Sequence, residues 1–258
     1  MKLASARIVE TQRLYADTWC TWFEAPEVAA GAAVGQFVMV HTPARYDTFW
    51  PRALSFHRFR PGAARTREFA LLYSAIGRGT TWLAEQPAGG TVDLYGPLGH
   101  GYRVRPGTTR LLLVGGGIGI APLVGLAEEQ VAKGREVTLL MGARTATDLY
   151  PVDQLPSEVE CVVATDDGSA GHHGLVTALY AAHLEWADQA FACGPNPMFR
   201  SMAAITQHDR RRLSVQVLLE ENMACGTGIC YGCATETKKG VQLVCKDGPM
   251  FEVRELGW

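Results

Sequence analysis

Four cysteines near the end of the chain, Cys225, Cys230, Cys233 and Cys245, follow the spacing C-x4-C-x2-C and then, after eleven residues, a fourth C. This is the thiolate spacing of a plant-type [2Fe–2S] centre, in which four sulfurs hold two bridged irons. Gly226, Gly228 and Gly232 lie between the ligands. A loop wrapped around such a centre needs positive φ angles and N–H groups aimed at sulfur, and glycine reaches those conformations at little cost. The chemistry implied is the movement of single electrons. Of seven cysteines, four fall within this segment, which favours metal ligation over a disulfide framework. Cys20 and Cys161 lie in strand-like apolar surroundings and read as small core residues.

A second kind of chemistry, the holding of phosphates, is suggested by Val114-Gly115-Gly116-Gly117-Ile118-Gly119-Ile120-Ala121-Pro122. A glycine-rich turn between a buried strand and a helix lets backbone N–H groups approach a pyrophosphate, and the helix N-terminus favours its charge. Pro122 suits the first helical turn. Ile120 stands where a dinucleotide fingerprint expects a third glycine. The following strand ends Met141-Gly142-Ala143-Arg144, with arginine where an acid would bind the ribose of NAD, so these residues leave NAD and NADP open. Thr165-Asp166-Asp167-Gly168-Ser169 is a polar loop at a strand's C-terminal end; it reads either as a plain turn or as a ligand contact through Asp166. His172 and His173 read as exposed polar residues. Cys193-Gly194-Pro195 closes another strand. No base can be named that would make Cys193 a nucleophile, and packing of Cys193 and Gly194 against a nicotinamide is the better reading.

In the first part of the chain, Arg52-Ala53-Leu54-Ser55 places a cation and a hydroxyl on one strand, and an arginine fork matches phosphate oxygens. By itself this is weak. Leu72-Tyr73-Ser74, followed by Gly77-Arg78-Gly79-Thr80 with Thr80 as an N-cap candidate, adds to a possible second, larger phosphate-bearing ligand.

The elements that must position these residues fall into three segments. From Ala6 to about Arg105, short apolar runs (Thr18–Phe23, Gly35–His41, Ala53–Phe59, Glu68–Tyr73, Thr91–Tyr95) separated by glycine and proline pairs predict an antiparallel barrel or sandwich. One helix starts near Thr80. After Pro106-Gly107, strands at Leu111–Val114, Val137–Met141, Val159–Ala164 and Ala190–Cys193 alternate with helices at Pro122–Lys133 and Pro197–Gln207. The stretch Gly174–His183 continues that alternation. This predicts a parallel α/β unit covered on both faces. Val215–Leu219 leads out to the cysteine loop.

Composition narrows the function further. The chain has 258 residues, 47% hydrophobic and 19% charged, with a net charge of −2. That balance offers no electrostatic case for nucleic acid, and Arg210-Arg211-Arg212 reads as a solvated helix end. Met1–Glu10 has no apolar core of signal-peptide length. The longest apolar stretch, Leu111–Ala127, is glycine-interrupted and reads as a buried strand plus helix, not a membrane span. These features point to a cytoplasmic protein with neither nucleic acid nor membrane as partner.

Taken together, these motifs resemble the ferredoxin reductase-like flavoproteins, and most closely the electron-transfer subunits of class 1B dihydroorotate dehydrogenase, the PyrK family. The resemblance is carried by Arg52–Ser55, Tyr73–Thr80, Gly96–Gly99, Gly115–Leu123, Thr165–Gly168, Ala192–Met198, Glu220–Cys233 and Val244–Pro249. It implies an antiparallel β-barrel FAD domain (1–105), an α/β nucleotide-binding domain (106–213) and a small C-terminal [2Fe–2S] lobe (214–258). Carried over by position, Arg52, Ala53, Leu54 and Ser55 would contact the flavin and its phosphates. Leu72, Tyr73 and Ser74 would flank the FAD, with Gly79 and Thr80 at its pyrophosphate. Gly115, Gly116, Gly117, Gly119, Asp166, Cys193 and Gly194 would serve NAD, and the four cysteines the cluster. The family shows proline where this chain has Ala53, which affects strand rigidity more than binding.

The resemblance further implies a catalytic dihydroorotate dehydrogenase subunit carrying FMN as partner, two of each chain forming a heterotetramer. This chain offers no obvious general base for dihydroorotate. The competing readings are a related diaphorase-type subunit of a ferredoxin:NADP reductase, sulfide dehydrogenase or hydrogenase complex, and an iron–sulfur sensor or assembly module. Some such relatives carry aspartate in place of the first cysteine, so Cys225 favours the dihydroorotate reading.

Overall fold

Inward and outward residues alternate along residues 3–8 and 91–98, and the sheet that contains these strands closes on itself. The computed structural model describes residues 1–43, 49–62 and 67–257. Six strands, β1 (Lys2–Tyr15), β2 (Thr18–Glu24), β3 (Phe37–Val40), β4 (Arg52–Pro61), β5 (Arg67–Ser74) and β6 (Thr91–Leu98), form a closed barrel. Its order is β1-β2-β5-β4-β3-β6, and every neighbouring pair is antiparallel. Ile8, Phe23, Val38, Phe56, Phe69, Leu71 and Leu94 fill the interior, with Val28 of the short helix α1 (Pro26–Ala29) and Leu83 of α2 (Arg78–Ala84) packed among them. Inside this apolar filling, Thr21 and Tyr73 satisfy one another's hydroxyls at 2.8 Å, as buried polar groups require. Strand β1 is absent from the sequence expectation. Its inward positions begin with Ala4 and Ala6, residues too small to make an apolar run. Helix α2 starts earlier than expected: Gly77 is its N-cap, and Thr80 sits one turn in, its hydroxyl 3.2 Å from the Gly77 nitrogen.

The second half is a seven-stranded sheet in the order β10-β9-β8-β7-β11-β12-β15, where β15 is Met250–Glu252. Its parallel strands are β7 (Arg110–Gly116), β8 (Glu136–Ala143), β9 (Glu160–Thr165), the short β10 (His172–His173), β11 (Gln189–Cys193) and β12 (Val215–Leu218). The unbroken apolar run Leu111–Val114 serves both faces at once. Leu111 and Leu113 pack with Leu123, Val124 and Leu126 of α3 (Ala121–Val131). Leu112 and Val114 pack toward Tyr180 of α4 (Val176–His183) and Phe199 and Met202 of α5 (Asn196–Gln207). His172 and His173 are exposed, as expected, but pair with Ala164 and Thr165. Arg211 does more than face solvent: its guanidinium donates to the carbonyls of Leu184, Glu185 and Ala187 past the end of α4.

After β12 the chain leaves the sheet and forms the cysteine loop and the hairpin β13 (Ala234–Thr237) and β14 (Gly240–Leu243). It then returns as β15 (Met250–Glu252), antiparallel to β12. The connection between barrel and sheet is tied down by two buried glutamines. Gln189 and Gln216 each donate a side-chain amide to the Arg103 carbonyl, and their oxygens accept from the backbone N–H groups of Arg105 and Arg103. Among the described residues no helix is long and apolar enough to cross a membrane.

Candidate functional site

In an open α/β sheet, ligands collect outside the carboxyl ends of strands where the strand order reverses. Here the chain runs outward from β7 through β8 and β9, then restarts on the other side at β11. The reversal therefore lies between Gly115–Gly117, at the end of β7, and Cys193–Gly194, at the end of β11. Two cavities open beside it, of about 610 and 470 Å3, both within the size range of small-molecule sites. They share Ser74, Ile76 and Ile118 in their walls.

The larger cavity lies between barrel and sheet. Arg52, Ala53, Leu54, Ser55, Leu72, Tyr73, Ser74 and Thr80 line it, together with Cys193. Gly79 stands behind this wall. A Cβ there would fall 2.5 Å from Thr42 Oγ1 and 3.2 Å from Arg52 Nε and Nη2, so the bare backbone of α2 lets the guanidinium lie against it. Arg52 Nη1 is further held by the Trp50 carbonyl at 2.5 Å. A fixed guanidinium beside hydroxyls, in a cavity that Leu54, Leu72 and Tyr73 also line, fits a phosphate-bearing aromatic ligand such as FAD.

At the other end Cys193 Sγ lies 3.9 Å from Glu220 Oε1. Burial first, then the Glu220 carboxylate, holds the Cys193 thiol well above its usual range. Burial also raises Glu220. Cys193 is thus no activated nucleophile. The sequence places Glu220 at the start of the cysteine segment but gives no sign that it faces Cys193, because nothing in its local pattern marks a carboxylate that folds back over a distant strand end.

The smaller cavity lies over the carboxyl ends of β7, β8 and β9. Gly116, Gly117 and Asp166 line it, with Arg144, Asp148, Pro195 and Met198. Gly117 has φ +55° and open space where a side chain would be. A Cβ on Gly116 would meet Pro195 and the Met198 sulfur within 3.0 Å. Gly115, Gly119 and Gly194 line neither cavity. Gly119 packs on the Cys193 carbonyl, 2.2 Å from where its Cβ would be, and Gly194 on Met198 and Gly116. Their smallness serves the close approach of strand and helix behind the cleft. Tyr15, Asp17 and Thr18, from the β1–β2 hairpin of the barrel, complete the wall. A contribution from so distant a segment left no local signal.

Three of the four cysteine sulfurs have backbone N–H groups pointing at them, the Gly232 N–H at Cys230 Sγ (3.4 Å) among these. Backbone N–H groups of Thr227 and Cys230 point at Cys225 Sγ, each at 3.4 Å, and the Cys245 N–H points at Cys233 Sγ at 3.5 Å. Burial alone would raise the Cys225 thiol, but the N–H and hydroxyl of Thr227 and the N–H groups of Cys230 and Ile229 outweigh it and bring it down to about 6. Gly226 and Gly228 take φ +60° and +84°, the conformations for which glycine was expected. Cys233 and Cys245 are buried, whereas Cys230 is exposed between Ile229 and Tyr231. Among the described residues no three His, Cys, Asp or Glu side chains converge to hold a single metal ion. Four thiols on one loop and its return, with N–H groups aimed at the sulfurs of Cys225, Cys230 and Cys233, fit a binuclear centre held by four thiolates.

Comparisons with known proteins agree with this geometry. Residues 220–257 match the iron–sulfur cluster binding domain of dihydroorotate dehydrogenase B, and residues 113–204 match the oxidoreductase NAD-binding domain. In fold, the chain superposes on a ferredoxin NADP+ reductase from Neisseria gonorrhoeae with bound FAD and NADP. The TM-score is 0.66 at 18% identity, over 84% of this chain and 99% of that one. It is nearer to a chain in the structure of an NADH-dependent reduced ferredoxin-NADP oxidoreductase, with a TM-score of 0.83 at 28% identity over 99% and 90%. A dihydroorotate dehydrogenase B (NAD(+)) electron transfer subunit from Desulforamulus reducens is 33% identical, covering 100% of this chain and 99% of its own. With that identity sustained from end to end, the chain belongs to the family of dihydroorotate dehydrogenase B electron transfer subunits.

Proposed function

We propose that this chain takes up electrons singly at the Cys225, Cys230, Cys233 and Cys245 site and delivers them as hydride to NAD+, as the electron-transfer subunit of an NAD-dependent dihydroorotate dehydrogenase. One observation carries the reading. The segment Glu220–Met223 lines the larger cavity, and Cys225 follows Met223 by two residues. Two residues span at most ~7 Å, so a centre held by Cys225 would lie close beside a ligand in that cavity. The shared wall of the two cavities brings the second ligand equally near the first.

In this reading Arg52 and Thr80 bind the phosphates of FAD, while Ser55, Leu72, Tyr73 and Ser74 hold its ring system. Gly116, Gly117 and Asp166 receive the nicotinamide nucleotide, and Ile118 keeps water from the junction. When bound, FAD takes electrons singly from an iron–sulfur centre and gives them up as a pair to a nicotinamide. Burial holds Cys193 as a neutral thiol beside the junction and raises the Glu220 carboxyl above its ordinary range.

Dihydroorotate oxidation falls to a catalytic FMN subunit that meets this chain at the exposed Ile229–Tyr231 edge, two of each chain forming a heterotetramer in the cytoplasm. Residues 1–105, 106–213 and 214–258 would then serve FAD, NAD and the cluster in turn. The test is reconstitution. The purified chain should reduce dyes with NADH but leave dihydroorotate untouched, and adding the catalytic subunit should produce dihydroorotate:NAD+ activity. Oxidation of dihydroorotate by the isolated chain would overturn this division of labour.

A further inference from the structure

His57 touches neither cavity, yet it is fully buried and hydrogen-bonds across the boundary between barrel and sheet. It lies on β4, two residues after Ser55. Its Nδ1 is 2.7 Å from the carbonyl oxygen of Ala121, the first residue of α3. A carbonyl only accepts, so Nδ1 carries the proton. Nε2 is left as an acceptor for the Tyr150 hydroxyl at 3.3 Å. Burial pushes the His57 pKa down to about 3, which keeps this neutral tautomer in place.

Each partner of the ring belongs to a segment that shapes a cavity. Ala121 lines the larger one, and Ile118, three residues earlier, lines both. Tyr150 packs edge-on against Tyr15, ring centroids 6.0 Å apart, and Tyr15 lines the smaller one, as does Asp148. Around this point the two halves are pressed together. A Cβ on Gly125 of α3 would sit 2.4 Å from the His57 carbonyl, and Arg58 pairs with Glu128 one turn further along α3. An apolar residue could fill the volume. Two directional hydrogen bonds from one ring also fix a register, since any slip of α3 along β4 would strand a buried donor or acceptor.

We propose that His57 is a positioning residue that sets the register between the two cavities and hence the approach of nicotinamide to flavin. The inference rests on the reading above, in which FAD fills the larger cavity and NAD the smaller. His57→Phe keeps a ring and loses both hydrogen bonds. Tyr150→Phe removes one hydroxyl and serves as the milder variant should the first fail to accumulate.

In FAD-loaded His57→Phe, kcat for NADH-driven dye reduction should fall roughly 10- to 100-fold, the scale of a small misplacement of reacting groups, with KM little changed. Flavin and cluster absorption should stay at wild-type levels, and the long-wavelength charge-transfer absorbance formed on mixing with NADH should weaken. Amide hydrogen exchange at residues 117–121 should rise with or without FAD. Wild-type kcat and charge-transfer absorbance in the variant would overturn the proposal, as would losses that only track lost FAD. If the wild-type chain itself gave no NADH-dependent bleaching of its flavin, the underlying reading of the cavities would fail instead.

Discussion

Tyr95, on barrel strand β6, donates its hydroxyl to the carbonyl of Cys225 at 3.1 Å. Beside it, Gly226 lies so close to Met39 and Leu98 that a Cβ would come within 2.7 Å of Met39 Cγ. The cysteine loop is therefore moored to the barrel and not to the hairpin of its own lobe alone. Tyr95→Phe removes one intramolecular hydrogen bond, worth about 1 kcal/mol net. Cluster loss to a chelator should quicken about fivefold, while flavin content stays unchanged.

Gly79→Ala tests the seat of Arg52. The new methyl group has no room against Thr42 and the guanidinium, so Arg52 must shift. FAD affinity, measured by equilibrium dialysis of the apo-protein, should fall at least ~10-fold, a difference of about 1.4 kcal/mol. Cluster absorption should be unaffected.

Two neighbouring glycines should respond differently. Gly116→Ala crowds Pro195 and Met198, which narrows the smaller cavity, so KM for NADH should rise about tenfold, the effect of ~1.4 kcal/mol of lost binding. Gly117→Ala meets no atom but forces an L-residue to φ +55°, costing about 1–2 kcal/mol of stability. Steady-state kinetics and thermal unfolding of the pair would separate the two effects.

Acid should destabilise the chain partly through His57. Its folded-state pKa, about 3, lies below the ordinary 6.5, so between these values the unfolded chain binds the extra proton. The stabilisation is complete above pH 6.5 and is lost as pH falls toward 3, at up to ~1.4 kcal/mol per pH unit. Denaturant midpoints at pH 7 and pH 5 should differ less in His57→Phe than in the wild type.

At the exposed edge, Ile229 and Tyr231 are 81% and 65% accessible, and Tyr231 holds φ +60°, unfavourable for a bulky residue. Ile229→Asp should weaken association with the catalytic subunit by at least ~10-fold, as truncated apolar anchors do. NADH:dye activity of the isolated chain should persist. Analytical ultracentrifugation and the dye assay check the two halves of this expectation.

The features readable from sequence are those in which chemistry and spacing coincide locally. The spacing of Cys225, Cys230, Cys233 and Cys245 announces a four-thiolate loop, and the run Leu111–Val114 announces a strand buried on both faces. What stayed hidden depends on distant segments meeting. Tyr15 and Asp17 reach the smaller cavity only because the barrel's first hairpin packs over the end of the sheet. Glu220 faces Cys193 only because β12 lies beside β11. The glycine turn was legible as a whole but not residue by residue. Which of its members faces ligand and which faces protein depends on the rotation of the strand, so Gly116 and Gly117 line the cleft while Gly115 and Gly119 pack behind it.

The return of β15 to the sheet ties two parts of the molecule into one assembly problem. Between β12 and β15 the chain must place all four cysteines and still bring Met250–Glu252 back into register with Val217. Until that happens, β12 presents an unpaired edge, the kind of surface on which chains stick to one another. A misfolded or truncated iron–sulfur segment would thus be felt as aggregation of the whole chain, so that cells would accumulate soluble protein only in step with correctly closed C-termini.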